Sequence, residues 1–173
     1  MPKTFIVHGW DTNILEDLRH YLTTELFLPE PVVLSETSSV GRTIIEKLED
    51  ASIGVDLVFV LCTPDDTVLS NGNTYKQARP NVLIELGYFY GRLGRLSGKV
   101  IVIIKDDLNI PTDISGVTYI HVKNNFSNSK KEIYTELKQL GLISDEIESN
   151  IRRSNYNPQK YFYSDAYYKM NYS

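Results

Sequence analysis

Glu85 is the residue best suited to chemistry, because it places a carboxylate inside an otherwise apolar helical run. The run covers residues 78–89, with the sequence ARPNVLIELGYF. An ionised carboxylate removed from water is costly unless it is paired, hydrogen-bonded or protonated. Glu85 is therefore either a structural anchor, bonded to nearby amides or paired with Arg79, Arg92 or Lys76, or a group held for chemistry.

Other candidate residues follow three predicted strands, at the points where the strands end. Ligands of open parallel α/β sheets bind beyond the carboxyl ends of the strands, so we expect the three loops to meet at one edge. The candidates are His8, Gly9, Trp10 and Asp11 in the first loop, Gly41 and Arg42 in the second, and Asp65 in the third, which leads toward Arg79 and Asn81.

Phosphate binding is one interpretation of these loops. Gly9 can bring backbone amides close to a ligand, and the helix that begins near Asn13 adds the positive end of its dipole. Gly41 and Arg42 open the second helix, where a guanidinium can grip a pyrophosphate. Each feature also has an ordinary alternative, which is a tight turn at Gly9 and a surface ion pair between Arg42 and Glu46.

The aromatic and histidine residues leave alternatives open. Trp10 is either a stacking surface for a base or an exposed packing residue. His8 is equally a hydrogen-bonded residue at a strand end or a ligand contact. No GxGxxG or Walker-type loop follows the first strand, so dinucleotide redox chemistry and phosphoryl transfer lose support. The three histidines, His8, His20 and His121, are scattered, so we expect no metal site.

The elements that must position these residues form an alternating β and α pattern. Five runs rich in β-branched residues predict strands at residues 4–8, 31–36, 55–62, 99–105 and 117–122. The third and fourth runs are almost continuously apolar, which is typical of strands covered on both faces of a parallel sheet. Helical patterns separate the strands, so we expect a three-layer α/β sandwich.

The third helix has two distinct faces. Its core face is predicted to hold Val82, Leu86, Phe89 and Leu93, while Gly87, Gly91 and Gly94 form a second, bare stripe. Glycine weakens a helix, so the stripe predicts the close approach of another backbone. That backbone belongs either to the sheet or to a partner subunit.

Composition narrows the class of protein. The 173 residues suit one domain, and a formal charge of −4 gives no broad reason to bind nucleic acid. Cys62 is the only cysteine, so no internal disulfide can form and a reducing cytoplasm is expected. No apolar run approaches the roughly 20 residues of a membrane helix, so we expect no membrane partner. The tyrosine-rich end of the chain is a linker, an oligomer arm or a packed extension.

Four motifs in this order resemble a prokaryotic TIR-like family, the branch found in bacterial anti-phage systems. They lie at residues 5–11 (FIVHGWD), 41–47 (GRTIIEK), 60–66 (VLCTPDD) and 78–87 (ARPNVLIELG). The resemblance covers residues 3–140. It implies a flavodoxin-like TIR fold with a five-stranded parallel sheet in the order 2-1-3-4-5, a TIR domain over residues 1–145 and a separate tail over residues 146–173.

The resemblance also implies an activity. Similar proteins cleave NAD+ at the nicotinamide N-glycosidic bond after they assemble into homo-oligomers, and many are fused to a STING-type or other cyclic-nucleotide sensor. Their catalytic glutamate corresponds to Glu85. His8, Gly9, Asp11 and Arg79 match positions that line the nucleotide site, whereas Trp10 stands where relatives commonly carry histidine. NAD+ is then the substrate, and no cofactor is expected.

Two alternatives to a glycohydrolase remain. One is a TIR module that only recruits other TIR domains, which the glycine stripe and the tyrosine-rich end would suit. The other is a different nucleoside N-glycosyl enzyme, such as a deoxyribosyltransferase. The grouping of Glu85, Arg79 and Asn81 at the expected ligand edge favours an enzyme over a scaffold.

Overall fold

The computed structural model describes residues 1–36, 41, 43–106, 108, 119–123 and 125–154. Its strands are β1 (Thr4–Val7), β2 (Val32–Val33), β3 (Leu57–Cys62), β4 (Asp66–Ser70), β5 (Asn73–Gln77), β6 (Val100–Lys105) and β7 (Tyr119–Val122). Its α-helices are α1 (Thr12–His20), α2 (Ile44–Ala51), α3 (Pro80–Leu93), α4 (Lys130–Gln139) and α5 (Asp145–Ser154).

The main sheet has five parallel strands in the order β2-β1-β3-β6-β7. The five predicted strands correspond to these in chain order, so the predicted order 2-1-3-4-5 is confirmed. The central strand β3 pairs with β1 on one side and β6 on the other, and all six of its residues are buried. Burial on both faces explains its unbroken apolar sequence.

Alternate residues of β3 belong to two separate cores. Leu57, Phe59 and Leu61 pack with α1, α4 and α5 on one face of the sheet. Val58, Val60 and Cys62 pack with α2 and α3 on the other face. The side chains of a strand point alternately to its two faces, so this one run supports both helical layers. Strands β1 and β3 run parallel, so their carboxyl ends lie at the same edge of the sheet.

The start of α1 lies close to the predicted position near Asn13. The helix begins at Thr12, and Asp11 caps it by accepting hydrogen bonds from the Asn13 and Ile14 amides at 3.1 and 3.3 Å. Aspartate is a preferred cap because its oxygen atoms satisfy amides of the first turn. At its other end α1 continues into a π-helical turn, Tyr21–Glu25.

A β-hairpin between β3 and α3 was missed by the sequence interpretation. Strands β4 and β5 pair antiparallel, with Ser70 opposite Asn73 and a turn at Asn71 and Gly72. Both turn residues have positive φ, 51° and 79°. An Asn-Gly dipeptide between two strands is a strong hairpin signal, so the sequence contained the information.

The glycine stripe of α3 faces open space in the described part of the fold. A Cβ added at Gly87 or Gly91 would meet no described atom within 4 Å. Of the two alternatives, approach of the sheet backbone does not occur among the described residues at these glycines, and contact with a partner subunit stays a prediction. The predicted core residues Val82, Leu86 and Phe89 are buried, and Leu93 packs beside them.

Part of the predicted tail belongs to a helix that contacts the core. Ile147 of α5 is buried with the α1 and α4 side of the sheet, and Glu148 accepts a hydrogen bond from the Tyr134 hydroxyl at 3.0 Å. Residues 155–173 lie outside the described residues, so the division at residue 145 stays a prediction. Over the described residues, none of the helices has the length and apolar character needed to cross a bilayer.

We expect Ile147→Ala to lower the free energy of unfolding by about 3 kcal/mol, because it removes buried methyl groups and leaves a cavity. Ile45→Ala is the matched control, since 53% of Ile45 is exposed compared with 2% of Ile147. It should change the free energy by less than about 0.5 kcal/mol. Urea denaturation measures both, and equal values would show that α5 adds nothing to the core.

Candidate active site

A cavity of about 490 Å³ lies at the carboxyl edge of the sheet. Its wall combines the loop after β1, the segment after β2, one face of α2 and the start of α3. Six of the residues predicted from the sequence line it, which are His8, Gly9, Trp10, Arg79, Asn81 and Glu85. The volume lies in the range of small-molecule sites.

Glu85 projects from the second turn of α3 into this cavity without a polar partner. Among the described residues, none donates a hydrogen bond to its carboxylate or forms an ion pair with it. The proposed anchors have other contacts, because Arg79 stacks on Trp10 and Arg92 bonds to a tyrosine hydroxyl. Burial therefore acts on Glu85 unopposed and raises its pKa to about 7. Among the described residues, the structural alternative for Glu85 has no contact to support it.

The start of α3 is open toward the cavity. Arg79 stands at its N-cap position but supplies no side-chain hydrogen bond, and Pro80 follows at the first helical position. The next two residues, Asn81 and Val82, both line the cavity. Amides in the first turn of a helix lack intrahelical partners, so this end can donate hydrogen bonds to oxygen atoms of a ligand.

The two other helices that contribute residues to the cavity wall, α1 and α2, are capped at their starts by their own side chains. Asp11 binds the first amides of α1. Thr43 and Glu46 cap α2 reciprocally, with the Glu46 amide donating to the Thr43 hydroxyl and the Thr43 amide donating to Glu46. The dipoles of α1 and α2 thus point at protein oxygens, and the phosphate interpretation shifts from these helices to α3.

The absence of a side chain at Gly9 lets the Asp65 carboxylate lie close to the backbone of the loop after β1. The Asp65 carboxylate accepts a hydrogen bond from the Trp10 amide at 3.1 Å and another from the Thr63 hydroxyl at 2.8 Å. A Cβ at Gly9 would lie only 1.7 Å from the Asp65 Oδ2 atom. The Trp10 amide, which follows Gly9 in this loop, is therefore already bound within the protein.

Two of the predicted site residues act on the loop instead of on the cavity wall. Asp11 caps α1 and forms an ion pair with Lys105 at the end of β6. Burial by itself would raise the pKa of Asp11, but the hydrogen bond from Lys105 and those from the helix amides lower it overall. Asp65 likewise accepts a hydrogen bond from the Trp10 amide. Both acids therefore hold the loop after β1 in place without lining the cavity.

The alternatives left open for His8 and Trp10 have different outcomes in the structure. The His8 ring contacts the Gly9 carbonyl at 2.9 Å and the Ser35 hydroxyl at 3.2 Å, as expected of a hydrogen-bonded residue at a strand end. Trp10 is 67% exposed, and the Arg79 guanidinium lies 4.0 Å from its ring centroid. Both residues line the cavity, and Trp10 is the more exposed of the two.

The second loop is only partly described. Gly41 has a φ of 75°, which favours glycine, and it stands outside the cavity wall. Arg42 lies outside the described residues. Lys47, which the sequence interpretation overlooked, lines the cavity together with Ile44. Because residues three apart share a helix face, the placement of Ile44 beside the second loop could have indicated Lys47.

Within the described residues, no group of three histidine, cysteine or acidic side chains is arranged to hold a metal ion. The polar groups on the cavity wall include a carboxylate, an ammonium, a guanidinium and the open end of a helix. Such a set can bind a ligand that carries both hydroxyl groups and negative charge.

A parallel sheet in the order 2-1-3-4-5, with a cavity at its carboxyl edge and an acid in it that has no partner among the described residues, defines a flavodoxin-like α/β domain with an edge site. Residues 3–124 match the family model described as the TIR domain of CAP12/Pycsar effector proteins. The chain therefore belongs to this family, and the resemblance to a prokaryotic TIR family of anti-phage defence is confirmed.

Three relatives illustrate the match. The uncharacterized protein YuaY of Escherichia coli (strain K12) is 42% identical over 145 residues, 83% of this chain and 47% of its own length. Protein tirC of Dictyostelium discoideum is 31% identical over 78% of this chain and 69% of its own. CD-NTase-associated protein 12 of Lachnospiraceae bacterium (strain RUG226) is 27% identical over 87% and 45%. The chain thus spans about half the length of the first and third.

We expect Gly9→Ala to lower the free energy of unfolding by about 2 kcal/mol, because the new methyl group would overlap the Asp65 carboxylate. In an Asp65→Ala background the overlap disappears, and the same substitution should cost less than about 0.5 kcal/mol. Denaturant unfolding of the four proteins completes the cycle. A cost that is the same in both backgrounds would contradict the steric explanation.

Proposed function

We propose that this domain cleaves NAD+ at the bond between nicotinamide and ribose, with Glu85 as the catalytic carboxylate. The observation that carries the proposal is the Glu85 side chain, which lines a ligand-sized cavity without a described partner. A carboxylate kept in that condition lowers stability, so a use in chemistry accounts for it. Membership of a family of TIR-domain effectors supports the same conclusion.

The chemistry of the bond suits a single acid. When the bond between C1′ and the pyridinium nitrogen breaks, both electrons go to the nitrogen and nicotinamide leaves as a neutral molecule. Positive charge then develops on the ribose ring, and the ionised Glu85 carboxylate stabilises it. Departure needs no proton. Water adds to C1′ and releases a proton to give ADP-ribose, or an atom of the substrate itself attacks and gives a cyclic isomer.

The rest of the cavity provides for the phosphates and hydroxyl groups of the substrate. Arg79 and Lys47 supply positive charge on its wall, and the open end of α3 at Asn81 supplies amides. Arg42 stays a predicted phosphate contact of the second loop. No bond to phosphorus forms or breaks in this reaction, so these groups bind and orient the substrate while Glu85 acts at the ribose.

We extend the proposal to assembly and regulation. The outer face of α3 has bare helix backbone at Gly87 and Gly91 beside Ile84, which is 59% exposed. This face suits contact with a second copy of the domain, so we propose activity in a homo-oligomer within anti-phage defence. The name CD-NTase-associated protein 12 of one relative supports a cyclic-nucleotide sensor, on the same or another polypeptide, as the trigger.

The test is release of nicotinamide from NAD+ by wild type and Glu85→Gln, each at low concentration and after forced assembly. We expect the substitution to lower the rate by at least about 100-fold, because it removes the charge that stabilises the transition state. Glu49→Gln is the matched control, since Glu49 is exposed on α2 and stands outside the cavity wall.

Equal rates for wild type and Glu85→Gln would remove Glu85 from catalysis. No release from any assembled sample that retains its fold would favour the interaction module. Cleavage of deoxynucleosides without cleavage of NAD+ would favour a deoxyribosyltransferase.

The pH dependence of stability tests the burial of Glu85 independently of activity. Its pKa is raised from 4.5 to about 7, so between these values the folded protein holds a proton that the unfolded chain has released. This group therefore makes stability fall as pH rises through that window. Glu85→Gln should gain about 2 kcal/mol relative to wild type between about pH 4 and pH 8, after allowance for solvent screening. A constant difference in denaturation free energy would mean an ordinary pKa.

A further inference from the structure

Trp10 is the only tryptophan of the chain, and it is not used to build the core. Two thirds of it is exposed, although it lines the cavity that holds Glu85. An indole contributes most to stability or binding when its apolar surface is buried. Core packing therefore does not explain the residue, and its position points to a contact made by a ligand.

The indole is already stacked on one side. The Arg79 guanidinium lies 4.0 Å from its ring centroid, and both residues line the cavity. A guanidinium above an aromatic face is held by the charge distribution of the ring, and this pair keeps the indole in one orientation. The exposed remainder of the ring leaves room for a second flat group.

The backbone of Trp10 is held just as firmly. Its amide donates to the Asp65 carboxylate at 3.1 Å, and the Thr63 hydroxyl donates to the other oxygen of that carboxylate at 2.8 Å. The missing side chain at Gly9 makes room for this contact. Asp65 therefore connects the end of β3 to the position of the indole, without being part of the cavity wall.

We propose that Trp10, stacked on Arg79, is a platform for a flat heteroaromatic ring of the nucleotide substrate, and that Asp65 is its positioning residue. This proposal rests on the proposed function for its ligand class. The ring is nicotinamide or adenine, since both are flat and both belong to NAD+. Stacking binds either ring without base-specific hydrogen bonds, so the platform contributes mainly to affinity.

The first test uses Trp10 as its own reporter. Glu85→Gln, which binds without turnover, is titrated with nicotinamide mononucleotide, with AMP and with ribose 5-phosphate, while tryptophan emission is recorded and calorimetry measures binding. We expect one or both ring-bearing compounds to change the emission and ribose 5-phosphate to leave it unchanged. The compound that acts identifies the ring.

Two results would overturn the platform. One is calorimetric binding of both ring-bearing compounds with no change in Trp10 emission. The other is an emission change that depends on protein concentration and not on nucleotide, which would make Trp10 an anchor between two copies of the chain.

The second test separates affinity from chemistry. Trp10→Ala should raise KM for NAD+ about tenfold with little change in kcat, while Trp10→Phe, which keeps a flat ring, should stay within about threefold of wild type. Equal KM values for all three proteins would contradict the platform. Binding to the matching Glu85→Gln double variants gives the same comparison where turnover is absent.

The role of Asp65 has its own readout. Asp65→Ala removes the acceptor of the Trp10 amide and should raise KM as Trp10→Ala does, whereas Asp65→Asn keeps an oxygen acceptor and should restore part of the effect. A purely structural Asp65 would instead change thermal stability and leave KM at the wild-type value.

The two proposals fail separately. NAD+ cleavage without any response of Trp10 would sustain the proposed function and reject the platform. A response of Trp10 to nucleotides in a protein that releases no nicotinamide would sustain the platform and reject the glycohydrolase.

Discussion

Burial of β3 on both faces is the constraint on which the rest of the molecule depends. Each face of this strand must be covered by helices, and its parallel neighbours β1 and β6 need crossover connections that supply them. Crossovers return the chain to the same end of the sheet, so the loops after β1, β2 and β3 gather at one edge. The cavity lies at this edge, and the helices that cover the sheet also carry its functional side chains.

Three acidic residues at this edge of the sheet differ in their polar contacts. Asp11 and Asp65 lie behind the loop after β1 and are satisfied by amides, a hydroxyl and Lys105. Within the described part of the chain Glu85 has none of these contacts, and burial raises its pKa to about 7. A carboxylate near this value changes charge close to neutral pH, and its burial lowers the stability of the ionised folded state. Stability given up at one residue is typical of a functional site.

The same separation applies to the ends of the helices. Side chains cap the first amides of α1 and α2, and these caps stabilise the two helices. The start of α3 has Pro80 and no side-chain cap, and it faces the cavity a short distance before Glu85. The Arg79 guanidinium has no acceptor for the helix amides, and it stacks on Trp10. The carboxylate and the open amides of the site thus belong to α3, with the Arg79 cation directly before it.

The sequence determined the order of the elements and the residue most suited to chemistry. Periodicity and apolar runs specify strands and helices locally, and an acid in the apolar run around Glu85 is visible without any structure. The Asn71-Gly72 hairpin was also encoded locally but was overlooked. Only the tertiary structure decided that Asp65 accepts the Trp10 amide and that Arg79 stacks on the indole. These contacts join residues that are distant in the chain, and their partners are selected by distance and competition for hydrogen bonds once the sheet has formed, which no local pattern records.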